Sequence, residues 1–140
     1  MSPKLIILVE NDVNLRQSIA LILQRAGYLV TFTDCVERAM ELISSRNYHL
    51  LISDINIPET ADVLLPKIHT EYPQLPVVIL TDQSDAEAAM ESKLLSAYFI
   101  VKPVAPERLL DYVRTILNKK NGSNPFNFGN FPGRNQEIRP

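Results

Sequence analysis

Five short apolar segments alternate along the chain with stretches of helical periodicity. The segments are rich in β-branched residues and comprise Lys4–Val9, Tyr28–Thr33, Tyr48–Ser53, Val77–Leu80 and Tyr98–Val101. Segments of this kind predict strands, and the alternating pattern of the second is typical of a half-buried edge strand. Parallel strands need a crossover connection, which is usually a helix. The alternation therefore predicts an α/β fold with a parallel sheet and helices on both faces.

Helix signals occupy the gaps between these strands. Gly27 stands where the first helix should end. Asp34 with Glu37 predicts a capped second helix, and Ser84 begins a similar cap signature before residues 86–96. Pro106 suits the first turn of the last helix, because that position needs no amide donor.

The third helix is the irregular one. Pro66 lies inside its sequence, and an interior proline removes a hydrogen bond and clashes with the preceding turn. If Asp62 caps this helix, Pro66 falls just past the first turn, where the cost is smaller. We therefore expect a helix that is short or irregular at its start.

Length and composition favour one globular unit. A chain of 140 residues with 46% hydrophobic content can bury a single core. The last twenty residues contain three of the four glycines and have no periodicity. We predict a folded domain over residues 1–120 and a tail or linker over residues 121–140.

The same numbers exclude several classes of protein. The net charge of −2 argues against direct nucleic acid binding by a basic surface. Cys35 is the only cysteine, so the chain has no internal disulfide framework and suits a reducing compartment. No segment resembles a signal peptide or is long enough to span a membrane. The prediction is a cytoplasmic protein with no membrane contact.

Carboxylates follow two of the predicted strands. Glu10, Asn11 and Asp12 come after the first strand, and Asp54 follows the third. In the flavodoxin-like strand order 2-1-3-4-5 these two strands are neighbours at the point where the order reverses, which is where such sheets bind ligands. Glu10, Asp12 and Asp54 should therefore converge, and clustered carboxylates call for a hard cation such as Mg²⁺.

The fourth and fifth strands bring other chemistry to the same edge. Thr81 ends the fourth strand and Lys102 follows the fifth. Acids, a hydroxyl and a lysine suit a phosphoryl group, because cations neutralise its oxygens and a carboxylate can accept it as a nucleophile. His49 and His69 lie far from these acids in sequence and are interpreted as structural or exposed residues.

Four motifs in this order resemble the receiver domain of two-component response regulators, over about residues 3 to 119. They are "ILVEND", "LLISDINIPE", "VVILTD" and "FIVKPVAPERLL". The resemblance implies a response regulator that is not a conventional enzyme and whose only catalysed reaction is phosphoryl transfer onto its own aspartate. The last motif, with "KLLSAY", is similar to those of receivers that control transcription.

The resemblance also implies a role for each residue. Asp54 would accept a phosphoryl group from the phosphohistidine of a sensor histidine kinase or a phosphotransfer protein. Mg²⁺ would be held by Glu10, Asn11, Asp54 and the backbone carbonyl of Asn56, with Asp12 contributing through water. Thr81 and Lys102 would contact the phosphoryl oxygens, and Thr81 would act as a switch together with the aromatic residue Phe99. In the family the bond corresponding to Lys102–Pro103 is cis.

Departures from the family pattern leave alternatives open. Asn11 replaces the usual ligating aspartate, and either Asn11 or Asp12 could simply cap the first helix. Asp62 replaces a common glycine, and Ser96 stands where glycine is common. These changes favour a pseudo-receiver, a phosphorylation-independent interaction module of the same fold, as the alternative. The intact Asp54, Thr81 and Lys102 oppose it and favour a phosphorylatable receiver. A phosphatase of the haloacid dehalogenase type is disfavoured, because it needs a second aspartate where this chain has Asn56.

The resemblance to a receiver domain also implies a partner that the domain controls. The partner would be an output domain or a separate protein, with a homodimer as an alternative. We expect the partner to contact the surface formed by the fourth predicted helix, the fifth strand and the fifth predicted helix.

Overall fold

The computed structural model describes residues 2–82 and 97–118. Five parallel strands form one sheet: β1 (Leu5–Val9), β2 (Leu29–Thr33), β3 (Leu50–Asp54), β4 (Val77–Thr81) and β5 (Tyr98–Val101). Their order in the sheet is β2-β1-β3-β4-β5. The predicted fold class and strand order are confirmed.

Helices flank the sheet within the described residues. They are α1 (Val13–Arg25), α2 (Val36–Ser45), α3 (Leu65–Glu71) and the C-terminal helix (Pro106–Leu117). Pro106 begins the C-terminal helix as predicted. The helix predicted for residues 86–96 and the tail predicted for residues 121–140 lie outside the described residues. None of the helices that are described is long and apolar enough to cross a membrane.

The sheet separates two apolar clusters. On one face Ile6 and Leu8 of β1 pack with α1 and the C-terminal helix. On the other face Ile7 and Val9 pack with α2 and α3. Both faces of the sheet are therefore covered, which explains why its central strands read as nearly continuous apolar runs rather than as alternating ones.

The ends of α1 follow the sequence signals. The side chain of Asp12 accepts a hydrogen bond from the amide of Leu15 and caps the helix, one of the two alternatives foreseen for this residue. Gly27, just after the last turn, has a φ of +101°, a conformation that residues with a Cβ rarely adopt. The capping predicted for α2 is wrong: Cys35 holds the cap position without a side-chain bond. Asp34 precedes that position by one residue.

The connection from β3 to α3 contains one π-helical turn, Thr60–Leu64. The expected irregular start of the third helix is confirmed, and Pro66 lies in the first turn of α3. Asp62 does not cap it, because the turn already begins at Thr60 and places Asp62 in its interior. The residue before the turn, Glu59, adopts a left-handed conformation with φ of +73°.

Candidate functional site

The neighbouring strands β1 and β3 bring Glu10 and Asp54 together. Val9 and Ser53 are partners in the parallel pairing of these strands, so the residues that follow them meet at one edge of the sheet. Glu10 is fully buried and Asp54 is 3% exposed. Two carboxylates that are almost completely shielded from water need a compensating charge.

Lys102 supplies that charge. Its Nζ lies 2.5 Å from Asp54 Oδ2 and 3.8 Å from Glu10 Oε1. The backbone amide of Lys102 donates to the carbonyl oxygen of Thr81 at 2.7 Å, which ties the loop after β5 to the end of β4. The Lys102–Pro103 bond is cis, as the resemblance implied. Two strand ends and one loop thus hold the three charged groups in contact.

The carboxylate of Glu10 is satisfied on one side only. Oε2 accepts the amide of Asp12 at 3.0 Å, whereas Oε1 is buried and has no hydrogen-bond partner among the described residues. Burial, and then the adjacent Asp54, raise the pKa of Glu10 above its ordinary value, although the Asp12 amide and the Lys102 charge oppose this. Oε1 is therefore an acceptor available for a cation.

The lysine is held in its charged form. Burial by itself would lower the pKa of Lys102, but the hydrogen bond and charge of Asp54 and the charges of Glu10 and Asp12 together outweigh it. The net effect raises the pKa of Lys102 above its ordinary value. The ammonium group therefore stays charged at neutral pH and balances the charge of the buried acids.

The third predicted acid, Asp12, lies beside the pair, and its amide donates to Glu10. Asp12 Oδ1 caps α1, and within residues 2–82 and 97–118 no group of three or more His, Cys, Asp or Glu side chains is arranged to hold a metal ion. The structure brings Glu10 and Asp54 together as predicted, and a water-mediated role of Asp12 at a metal stays a prediction. Asp12 Oδ1 is already engaged locally, because the free amides at the start of α1 bind the Asp12 side chain.

The two asparagines assigned to the metal lie at the rim of the pair. Asn11 is exposed and follows Glu10 directly, and Asn56 is exposed in the loop after β3. The amide of Asn56 donates to Asp54 Oδ1 at 2.8 Å, which fixes one oxygen of that carboxylate while Lys102 holds the other. Both oxygens of Asp54 are thus oriented.

Thr81 and Phe99, the predicted switch pair, are both buried. The Thr81 hydroxyl donates to the carbonyl oxygen of Asp82 at 3.1 Å. Phe99 is 1% exposed and belongs to the apolar cluster that packs against α2 and α3. These are their positions in this structure; a coupled movement of the two side chains stays a prediction.

Three side chains around the site were not foreseen. Arg16 donates to the carbonyl oxygen of Glu10 at 3.1 Å, and its guanidinium carbon lies 5.3 Å from the centre of the Phe32 ring. Ser53 and Thr60 are fully buried beside the backbone of Asp54. A serine inside an apolar strand was the available signal for Ser53. Thr60 carried none, because its burial depends on the fold of the π-helical turn.

The two histidines lie apart from the charged groups in the roles expected of them. His49 Nδ1 accepts the amide of Leu5 at 2.9 Å and thereby joins the start of β1 to the start of β3. His69 is exposed in the last turn of α3. Their interpretation as structural and exposed residues is confirmed.

The residues present fit a magnesium ion. Glu10 Oε1 is a buried oxygen that lacks a hydrogen-bond partner, and it faces the carboxylate of Asp54 across Lys102. Mg²⁺ prefers oxygen ligands and keeps several waters, so it is commonly bound by one or two carboxylates. This acidic pair, with amide, backbone and water oxygens at the rim, is a donor set of that type.

Comparisons with known proteins agree with this geometry. The pattern of the response regulator receiver domain matches residues 6–114. The chain is 34% identical over 110 residues to the response regulator protein FleR of Pseudomonas aeruginosa, covering 77% of this chain and 23% of FleR. It is 24% identical over 116 residues to the transcriptional regulatory protein FixJ of Bradyrhizobium diazoefficiens, covering 81% of this chain and 57% of FixJ.

Solved structures give the same result. The chemotaxis response regulator CheY4 of Vibrio cholerae superimposes with a TM-score of 0.73 at 25% identity, covering 82% of this chain and 99% of CheY4. The chain spans about a quarter of FleR and somewhat over half of FixJ. Fold, site geometry and sequence match lead to one assignment: the chain belongs to the family of response regulator receiver domains.

Proposed function

We propose that this receiver domain accepts a phosphoryl group on Asp54 in a Mg²⁺-dependent reaction and thereby switches a partner protein or output domain. The observation that carries the proposal is the buried carboxylate of Asp54, whose two oxygens are held by Asn56 and Lys102 beside the Glu10 oxygen that accepts no hydrogen bond. The donor would be the phosphohistidine of a sensor histidine kinase or a phosphotransfer protein.

Asp54 is the nucleophile in this proposal. One of its carboxylate oxygens forms a bond to phosphorus as the bond from phosphorus to the histidine nitrogen breaks, and the histidine leaves with the bonding electron pair. Lys102 then transfers its contact from the carboxylate to an oxygen of the incoming phosphoryl group. Its charged form, supported by the raised pKa, suits that role.

Glu10, Asp54, Asn11 and the backbone carbonyl of Asn56 would hold the Mg²⁺ ion, with Asp12 acting through water. When bound, the ion would neutralise charge that develops on the phosphoryl oxygens. Glu10 keeps its free oxygen at the site because its other oxygen is fixed by the Asp12 amide. Asn11 contributes no charge, so we expect weaker Mg²⁺ binding than at a site with another aspartate.

The output step would begin at Thr81. Its hydroxyl can leave the carbonyl of Asp82 and donate to the phosphoryl group, and Phe99 would follow that movement. We propose that the face carrying β5 and the C-terminal helix contacts the partner, an output domain or a second copy of this chain. Regulation of transcription is the favoured output, without direct nucleic acid binding by these residues. The lone Cys35 suits a cytoplasmic location.

Intact-mass spectrometry tests the acceptor directly. The wild-type chain is incubated with acetyl phosphate and Mg²⁺ and should gain the mass of one phosphoryl group. Asp54→Asn keeps the shape of the side chain but is a far weaker nucleophile, so it should gain none. Asp111→Asn, at an exposed position of the C-terminal helix, is the matched control and should behave as wild type.

The alternatives give different masses. A phosphoryl group on both the wild type and Asp54→Asn would place the acceptor at another residue. No gain on the wild type, with Mg²⁺ present and the fold intact by circular dichroism, would contradict the proposal. That result would favour the pseudo-receiver.

A further inference from the structure

The loop after β3 closes on the backbone carbonyl of Asp54. That oxygen accepts the amide of Ile57 at 3.3 Å and the hydroxyl of Thr60 at 3.2 Å. The hydroxyl of Ser53 lies 3.5 Å from the same oxygen and 3.4 Å from the Thr60 hydroxyl. The carbonyl of the proposed acceptor is thus the point at which both ends of the loop meet.

Thr60 reaches this position because of an unusual backbone. Glu59 adopts a left-handed conformation, which turns the chain and directs Thr60 inward. The carbonyl of Glu59 then accepts the amides of Val63 and Leu64, which forms the π-helical turn. The result is a fully buried threonine in a short loop.

Packing alone does not explain a hydroxyl at this point. Thr60 is buried close to Ile57 and Leu64, which belong to the apolar cluster against α2 and α3. A valine has nearly the same shape and would not need a hydrogen-bond partner there. The threonine differs from a valine in its hydroxyl, which donates to the carbonyl of Asp54 and lies 3.4 Å from the Ser53 hydroxyl.

We propose that Thr60 is a positioning residue for phosphoryl transfer, an inference that rests on the proposed role of Asp54. The Thr60 hydroxyl fixes the carbonyl of Asp54 and closes the loop over residues 54–60. That loop contains Asn56, whose amide holds Asp54 Oδ1 and whose carbonyl is assigned to the metal. Thr60 therefore sets the direction of the Asp54 carboxylate and of the Asn56 carbonyl without touching the phosphoryl group.

The test measures the rate at which the full chain gains phosphoryl mass from acetyl phosphate at saturating Mg²⁺. Thr60→Val should be slower by about tenfold, because a small displacement of a reacting group costs at least that much. It should also need more Mg²⁺ for half-maximal rate. Thr60→Ser restores the hydroxyl and should return to within about twofold of the wild type.

Two further variants make the comparison specific. Thr31→Val makes the same chemical change on β2, two strands away from β3, and should leave the rate unchanged. Ser53→Ala removes the neighbouring hydroxyl and should slow transfer by about threefold. If Thr60→Val does not fold, as judged by circular dichroism, Ser53→Ala decides the question, and an unchanged rate in that variant overturns the inference.

The outcomes separate this inference from the proposed function. A wild type that gains no phosphoryl mass overturns both. A wild type that is modified on Asp54, together with a folded Thr60→Val of equal rate and equal Mg²⁺ requirement, overturns only the role of Thr60. A Thr60→Ser variant as slow as Thr60→Val does the same, because restoring the hydroxyl would then fail to restore the rate.

Discussion

Replacing Lys102 with methionine tests the charge balance of the site most directly. The substitution keeps most of the apolar stem and removes the ammonium group that lies 2.5 Å from Asp54 and 3.8 Å from Glu10. Both carboxylates are nearly inaccessible to water, so the variant leaves two buried negative charges without their counter-charge. Breaking a buried pair in this way costs about 3–5 kcal/mol.

Protonation sets an upper limit to that cost. A carboxyl group with an ordinary pKa of about 4 can be protonated for about 4 kcal/mol at pH 7 and about 1.4 kcal/mol at pH 5. The lysine side chain is 25% exposed, so water already screens part of its interaction. We expect Lys102→Met to lose about 3 kcal/mol of unfolding free energy at pH 7 and no more than about 1.5 kcal/mol at pH 5.

The direction of this pH dependence follows from the linkage between proton binding and folding. Removal of the lysine charge raises the folded-state pKa of Glu10 further, so the folded variant binds more protons than its unfolded chain between the two pKa values. The stability relative to wild type is then greatest at low pH and decreases as pH rises through the folded-state pKa. Urea unfolding followed by circular dichroism at both pH values measures it.

Lys67→Met is the matched control. Lys67 pairs with Glu71 at 2.9 Å on the surface of α3, and such a pair contributes less than about 0.5 kcal/mol. The decrease in unfolding free energy of Lys67→Met should be small and nearly equal at pH 5 and pH 7. If Lys102→Met loses the same free energy at both pH values, the cost comes from packing of the stem, and the charge argument is refuted.

Three further changes probe other parts of the chain. Asn11→Asp should tighten Mg²⁺ binding in isothermal titration, since it adds a charged ligand, and an unchanged affinity would show that Asn11 is not a ligand. Burial, and then the charge of Lys4, lower the pKa of His49 below its ordinary 6.5. The unfolded chain is therefore protonated first, so stability should fall as pH decreases below about 6.5, and His49→Gln should remove that part of the urea-unfolding profile. Glu59→Gly should raise the free energy of unfolding, measured by urea, by about 0.5–1 kcal/mol, because glycine adopts a positive φ without strain. A decrease would show that the Glu59 side chain stabilises the turn.

The sheet could be predicted because its signals are local. The central strands β1, β3 and β4 are runs of mostly apolar residues buried on both faces, and such runs are visible without knowledge of tertiary structure. The meeting of Glu10, Asp54 and Lys102 was also predictable, since the strand order decides which strand ends are neighbours. The sequence and the strand topology were sufficient for these features.

Other features depend on contacts that the sequence does not display. Glycine is the usual residue at a positive φ, yet here the position is Glu59, so no turn signal marks the π-helical turn. Thr60 looks like an ordinary loop threonine until the turn buries it. The error at Asp34 is a shift of one residue, the distance over which capping patterns are least reliable.

The distribution of these irregularities bears on function. Away from the site, the sheet is buried between two apolar clusters, as the sequence pattern predicts. The buried acids, the unpartnered Glu10 oxygen and the left-handed Glu59 all lie at the carboxyl ends of β1 and β3 or in the loop that follows. A buried ion pair can usually be replaced by well-packed apolar residues without loss of stability, so stability alone does not require these charges. The buried acids, their lysine and the left-handed Glu59, which all lie at one edge of the sheet, are therefore better explained by chemistry carried out at that edge.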